Sequence, residues 1–379
     1  MNKRDTYFID YFEKKKNDIS FITLKKGAVI KFKDKEYMTE KELPVPIRIQ
    51  KLVQDIKHQD ERDGITINNI IDGIIYIIGT DKNFKYIKEY DEMLNKLQFD
   101  IKPYIILCIN KFNEKQNDEG VIYGKALINV HEDEKSCFVY ASVLEKKGYE
   151  QNNKSDTNNS QYFLEEAYKY FEKSLDYNDK FSLAYYKLGY YCKLKQQYVK
   201  AELFWNKHQE IEDDAIRIDE IRNELIQLKP FVNFENGYNL VLNERPEEGL
   251  DLLLPLVKEF SSWWNLLFFI GLAYRILGEF EIAETYFENV LKINNAQKDA
   301  LNELGMCKIS RGKYVEATEL FTRVLNLEPG NCEIFCNRAA AYLYNGQINK
   351  AKEDILIALK INPNDEIALS IKKEIDKIS

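Results

Sequence analysis

Cys332 and Cys336 lie four residues apart in a stretch with helical pattern, so their thiols fall on one helix face. Two thiols at that spacing are the start of a soft-metal or redox site, and Cys307 could approach them from the preceding repeat unit. The plainer reading is that all three are small packing residues, and the spacing alone leaves both open. His58, His131 and His208 are scattered and form no ligand pattern. No HExxH, no paired CxxC and no phosphate-cradling glycine loop occurs, and no spacing places two of the many carboxylates together. The chemistry-bearing residues therefore point to no catalytic, cofactor or metal site, and the chain is expected not to be an enzyme.

The elements that carry these residues repeat. Leu267-x2-Ile270-Gly271-x2-Tyr274 returns as Leu301-x2-Leu304-Gly305-x2-Lys308 and as Phe335-x2-Arg338-Ala339-x2-Tyr342, each 34 residues on. Behind them come Ala283-x3-Phe287, Ala317-x3-Phe321 and Ala351-x3-Ile355, then Asn295, Pro329 and Pro363 in the same register. A fixed period of this length decides the architecture before any local reading does. The large residues and the glycine share one face of a first helix. The alanine admits close contact on a second helix, and the aromatic fills the gap. Gly278, Gly312 and Gly346 end the first helices, and the prolines end the second.

These residues resemble the tetratricopeptide repeat, whose pattern is W-x2-L-G-x2-Y, A-x3-F and P. The resemblance implies a mainly α fold, an α-solenoid of helix-turn-helix repeats in a right-handed superhelix, here with a small α/β N-terminal segment. Repeats are expected at about 134–179, 182–215, 230–263, 264–297, 298–331 and 332–365, with a capping helix at 366–379. A 14-residue insertion, Ile216 to Lys229, separates two of them. It is itself helical in pattern and is expected to prolong or follow the second helix of its repeat. Residues 65–133 read as degenerate hairpins with helices at 66–80, 83–98, 101–114 and 118–131. Gln151 to Gln161 is polar and low in complexity, and is expected to be a disordered loop. In residues 1–64, Ile19 to Lys25, Ala28 to Phe32 and Glu36 to Met38 are β-like, Pro44-Val45-Pro46 breaks the chain, and a helix is expected from Ile47 to His58.

The resemblance also implies where binding occurs. First-helix positions turned away from the repeat seam line the concave groove of such proteins. Here they include Tyr186, Tyr190, Phe234, Tyr238, Phe268, Arg275 and Asn302, and Asn337 joins them at a neighbouring position. Aromatics on such a face would suit a peptide or helix of a protein partner, or be buried by tight superhelical curvature or by the chain's own N-terminal segment. Co-chaperone members of the family hold a peptide carboxylate with Lys, Arg and Asn. The matching positions here are Phe268, Leu272, Glu303, Glu333 and Asn337, so a carboxylate clamp is not expected. His208 stands where the pattern wants a small packing residue and reads as structural.

The bulk composition agrees. A net charge of −8 disfavours a general nucleic-acid or anionic-membrane binder, although residues 1–64 carry 15 Lys/Arg against 12 Asp/Glu. Six cysteines without paired spacing, and a first stretch without an apolar signal core, suggest the cytoplasm. The expected role is a scaffold or adaptor. The alternative is a peptide-sensing bacterial regulator in which residues 1–64 act as effector, although that segment shows no helix-turn-helix pattern.

Overall fold

The computed structural model describes residues 3–49, 53, 66–115, 119–153 and 157–378. They form two compact units: residues up to Gln196 with Leu203–Ile221, and Gln197–Glu202 with Arg222 onwards.

The first unit opens with α1 (Lys3–Lys15), which lays Tyr7, Phe8 and Tyr11 against Phe163, with ring centroids 5.4–5.8 Å apart. Four strands follow: β1 (Ile19–Leu24), β2 (Val29–Phe32), β3 (Lys35–Met38) and β4 (Leu43–Arg48). β2 and β3 form an antiparallel hairpin whose turn holds Lys33 at φ 55°. β4 pairs antiparallel with β1, Pro44 opposite Thr23 and Pro46 opposite Phe21. The two prolines are tolerated because alternate residues address the same strand edge, leaving Leu43, Val45 and Ile47 to make the ladder. Tyr90 donates to the Pro44 carbonyl on the other edge, at 2.7 Å. The helix expected from Ile47 is thus strand at its first two positions, and most of its remainder, His58 included, lies outside the described residues.

Next come α2 (Ile67–Thr80), α3 (Ile87–Lys96), α4 (Ile101–Lys115) and α5 (Glu119–Val130), close to the expected helices. α2 is buried along nearly its whole length. A Cβ on its Gly73 would stand 2.1 Å from the Pro46 carbonyl oxygen, so only glycine lets β4 lie this close. Buried Arg48 pairs with Glu119, lies 3.6 Å from Asp72 and stacks over Tyr76 at 4.3 Å, which stitches β4, α2 and α5. α6 (Glu134–Asn153) and α7 (Thr157–Tyr177) pair next. Residues 151–153 and 157–161, expected as loop, belong to these helices. Asn152 and Gln161 are exposed, Ser160 is buried, and residues 154–156 of the expected loop lie outside the described residues. α8 (Ser182–Leu194) then packs on Trp205 and His208 of α9 (Tyr198–Ile211).

In the second unit the repeating pairs are α10 (Ala215–Leu242, in this unit from Arg222 on) with α11 (Pro246–Leu253), α12 (Trp264–Ile276) with α13 (Phe280–Ile293), α14 (Lys298–Ser310) with α15 (Tyr314–Leu327), and α16 (Cys332–Tyr344) with α17 (Ile348–Ile361). α18 (Glu366–Ile378) follows α17. Of the two alternatives given above, the insertion follows α9 and does not prolong it. It runs forward into the next first helix as one 28-residue helix with Pro230 inside it.

One seam recurs in both units. Side chains added at Gly189, Gly237, Gly271 and Gly305 would collide with Trp205, Leu253, Phe287 and Phe321, each sixteen residues on. The three C-terminal turns are equally uniform. Gly278, Gly312 and Gly346 have φ of 81°, 73° and 74°, and the next amide bonds back to Tyr274, Lys308 or Tyr342 at 2.8–2.9 Å.

Candidate functional site

In the second unit, four successive first helices are joined side to side by the residues that the sequence places on one face. From α10, Tyr238 stacks on Phe269 of α12 at 5.0 Å, and Phe234 meets Phe269 at 6.0 Å and Trp263 at 4.3 Å. From α12, Arg275 pairs with Glu303 of α14. From α14, Asn302 accepts a hydrogen bond from Asn337 of α16 at 3.0 Å. Phe268 lies beside Phe269 at 5.4 Å and edges Phe287 at 5.7 Å. Phe234 is buried, and Tyr238, Phe268, Arg275, Asn302 and Asn337 are half-buried. The row therefore passes from aromatic at α10 and α12 to polar at α14 and α16.

The polar end has an acidic character. Burial pushes the Glu303 carboxyl above its usual range, and the charges of Glu333 and Asp299 add to this against the opposing pull of Arg275. Such a surface receives hydrogen-bond donors and cations more readily than carboxylates.

Tyr186 and Tyr190 belong to the first unit, where the start of α10 meets them. Both hydroxyls donate to one Glu220 oxygen, at 2.8 and 2.6 Å. Glu220 lies in the inserted segment, so the insertion partly covers these two tyrosines. Beneath them Trp205 donates to the Tyr186 carbonyl at 3.3 Å, and buried His208 donates from Nδ1 to the Ser182 carbonyl at 2.9 Å. That bond ties α9 to the start of α8 and gives His208 a structural role.

Of the three cysteines weighed above, the structure brings Cys332 and Cys336 together. Their third neighbour is Asp365, not Cys307. The sequence reading did not single out Asp365. Its signal is local, an Asp three residues ahead of Ala368, whose amide it caps at 2.9 Å. Among the described residues, no helix is long and apolar enough to cross a membrane.

Comparison with known proteins gives the following. Two tetratricopeptide-repeat family models match residues 265–297 and 320–353. A curated relative, the heat-shock protein cognate (HSC) co-chaperone sgt12 of Aspergillus fumigatus, is 37% identical over 67 residues, 18% of this chain and 20% of that protein. The chain thus spans a fifth of that relative's length. Among solved structures, YrrB, described as a TPR protein with an unusual peptide-binding site, is similar at 22% identity. The match covers 54% of this chain and 97% of that one, with a TM-score of 0.39. PilW, described as a widely conserved type IV pilus biogenesis factor, is similar at 16% identity over 61% and 97% of the two chains, also with a TM-score of 0.39.

Proposed function

We propose that this chain, a tetratricopeptide-repeat protein most clearly over residues 264–365, is a non-enzymatic cytoplasmic adaptor that holds a peptide or helical segment of a partner protein along the row from Phe234 to Asn337. The observation that carries this reading is the continuity of the row. Each first helix in the second unit is linked to the next by a groove-position side chain: Tyr238, Arg275 and Asn302 in turn. A stack of repeats gains an extended surface in this way, and such surfaces bind extended or helical segments. Phe268 and Tyr238 would be the aromatic anchors, and the Asn302–Asn337 amide pair would meet backbone or polar groups of the partner.

The co-chaperone relative supports a protein partner in general terms. The mode of binding proposed here differs from carboxylate capture, because acidic Glu303 and Glu333 stand at two of the positions that supply Lys, Arg or Asn in such clamps. A partner that reaches the polar end with a lysine, an arginine or backbone amides suits the site better.

The test is a capture experiment with the intact chain beside two variants. One is Tyr238→Ala with Phe268→Ala. The other is Asn302→Asp with Asn337→Asp, which alters charge with less effect on packing. A protein retained by the intact chain and lost from both variants, at unchanged helical content, supports the reading. Retention of the same protein by both variants would move binding elsewhere on the molecule.

A further inference from the structure

We propose that Cys332, Cys336 and Asp365 form a binding site for a thiophilic divalent cation of the zinc class. The thiols lie on one face of α16, and Asp365, in the loop before α18, closes the third side. The two sulfurs and a carboxylate oxygen all lie within 4.8 Å of one another, with Cys336 Sγ 3.8 Å from Asp365 Oδ1. Zinc holds sulfur at about 2.3 Å and carboxylate oxygen at about 2.0–2.2 Å in a tetrahedron, which puts ligand atoms roughly 3.5–3.8 Å apart. The three groups thus need to close by no more than about 1 Å to surround the ion.

The side chains are contacted from α17 and α18. The Cys332 thiol rests on the Ala358 carbonyl of α17 at 3.4 Å. Asp365 Oδ1 accepts from the Ala368 amide of α18 at 2.9 Å, and Oδ2 lies 3.5 Å from Asn362 Nδ2. The Ala368 amide would hold Asp365 through loading, whereas the two thiols would bind as thiolates and release their protons to solvent, Cys332 giving up its bond to Ala358. Cys336 is buried while Cys332 and Asp365 are half-buried, so an ion would enter from solvent and keep water in a fourth position. Cys108, Cys137, Cys192 and Cys307 are buried, and among the described residues no other trio of this kind is formed. Loading would tie α18 to α16, because the ligands come from α16 and from the residue that caps α18.

The experiment uses the full chain with its thiols reduced, titrated with Cd2+ and with Zn2+. The readouts are sulfur-to-cadmium charge-transfer absorbance, bound metal per chain and melting temperature. The expected result is one equivalent bound, with absorbance that levels off there and a melting temperature raised by zinc. Cys332→Ser should lose the absorbance and the thermal shift. Asp365→Asn, which keeps a capping side chain, should weaken binding by at least about 10-fold while the metal-free protein melts as before. Absence of charge-transfer absorbance at one equivalent would overturn the proposal. So would binding left undiminished by Cys332→Ser or by Asp365→Asn.

Discussion

Lys308 Nζ stands 2.9 Å from Glu284 Oε2, and both side chains are buried. Lys308 occupies the position held by Tyr274 one repeat earlier, where the ring stacks on Tyr286 at 5.8 Å. An aromatic contact has thus been exchanged for an ionic one. Glu284 also takes Arg311 at 2.9 Å, and Lys308 also meets Glu316 at 3.0 Å.

A buried ion pair contributes little against a well-packed apolar substitute, but removing one partner strands the other. Glu284→Ala leaves Lys308 with Glu316 and Glu288, so it should destabilise the protein by about 2 kcal/mol, less than a stranded charge would cost. Lys308→Tyr combined with Glu284→Ala should recover most of that loss. Denaturant midpoints of the two single variants and the double variant measure the coupling directly.

The uniform turns make a second prediction. Gln196 and Glu244 sit at the repeat positions of Gly278, Gly312 and Gly346, with φ of 58° and 60°. A side chain in the left-handed region costs about 1–2 kcal/mol, and glycine returns part of this through a freer unfolded chain. Glu244→Gly should stabilise by about 0.5–1 kcal/mol, and Gly312→Ala should destabilise by about 1 kcal/mol, both read from urea unfolding.

Such equivalences show what was legible in the chain. The 34-residue period gave the helix pairs, their turns and the seam glycines, because each copy restates the same steric demand. The row from Phe234 to Asn337 could be drawn from the same register. What escaped was held by long-range contacts. α1 carries Tyr7, Phe8, Tyr11 and Phe12 at helical spacing, but its partner Phe163 is far away in sequence. β4 carries two prolines that argue locally against a strand, and only pairing with β1 makes room for them. The insertion carried a helical pattern, but nothing local said that Pro230 would be passed without a break. Asp365 beside Cys336 was hidden because the two meet only when α18 folds back on α16.

Stability in acid should depend on Glu212. The Arg217 guanidinium, with help from the Asp214 amide and the Ser182 hydroxyl, holds its carboxyl down at about 2. A depressed carboxyl contributes stability that is complete above its ordinary value near 4.5 and is lost as the pH falls towards 2. Glu212→Gln should lower stability at pH 7 by about 2 kcal/mol and flatten the decline between those limits. Chemical denaturation at pH 7, 4.5 and 3 tests this. Parallel pH profiles for the two proteins would contradict it.

Arg275 and Glu303 yield the opposite sign at the centre of the proposed groove. Burial already pushes the Glu303 carboxyl up, and Arg275 is the cation that opposes the rise. A raised carboxyl favours the folded state at pH values below its unfolded value, and that advantage is lost as pH rises through the folded value. With Arg275→Ala the folded value should climb further, because Glu333 and Asp299 then act on Glu303 unopposed. The variant should match the parent near pH 4 and fall behind by about 1–2 kcal/mol at pH 8. Glu303→Gln in the same chain should restore the loss, because the amide has no charge to bury. If Arg275→Ala instead loses equal stability at pH 4 and pH 8, Arg275 acts through its packed stem and not through its charge. Melting curves of the parent and the two variants across that range decide between these roles.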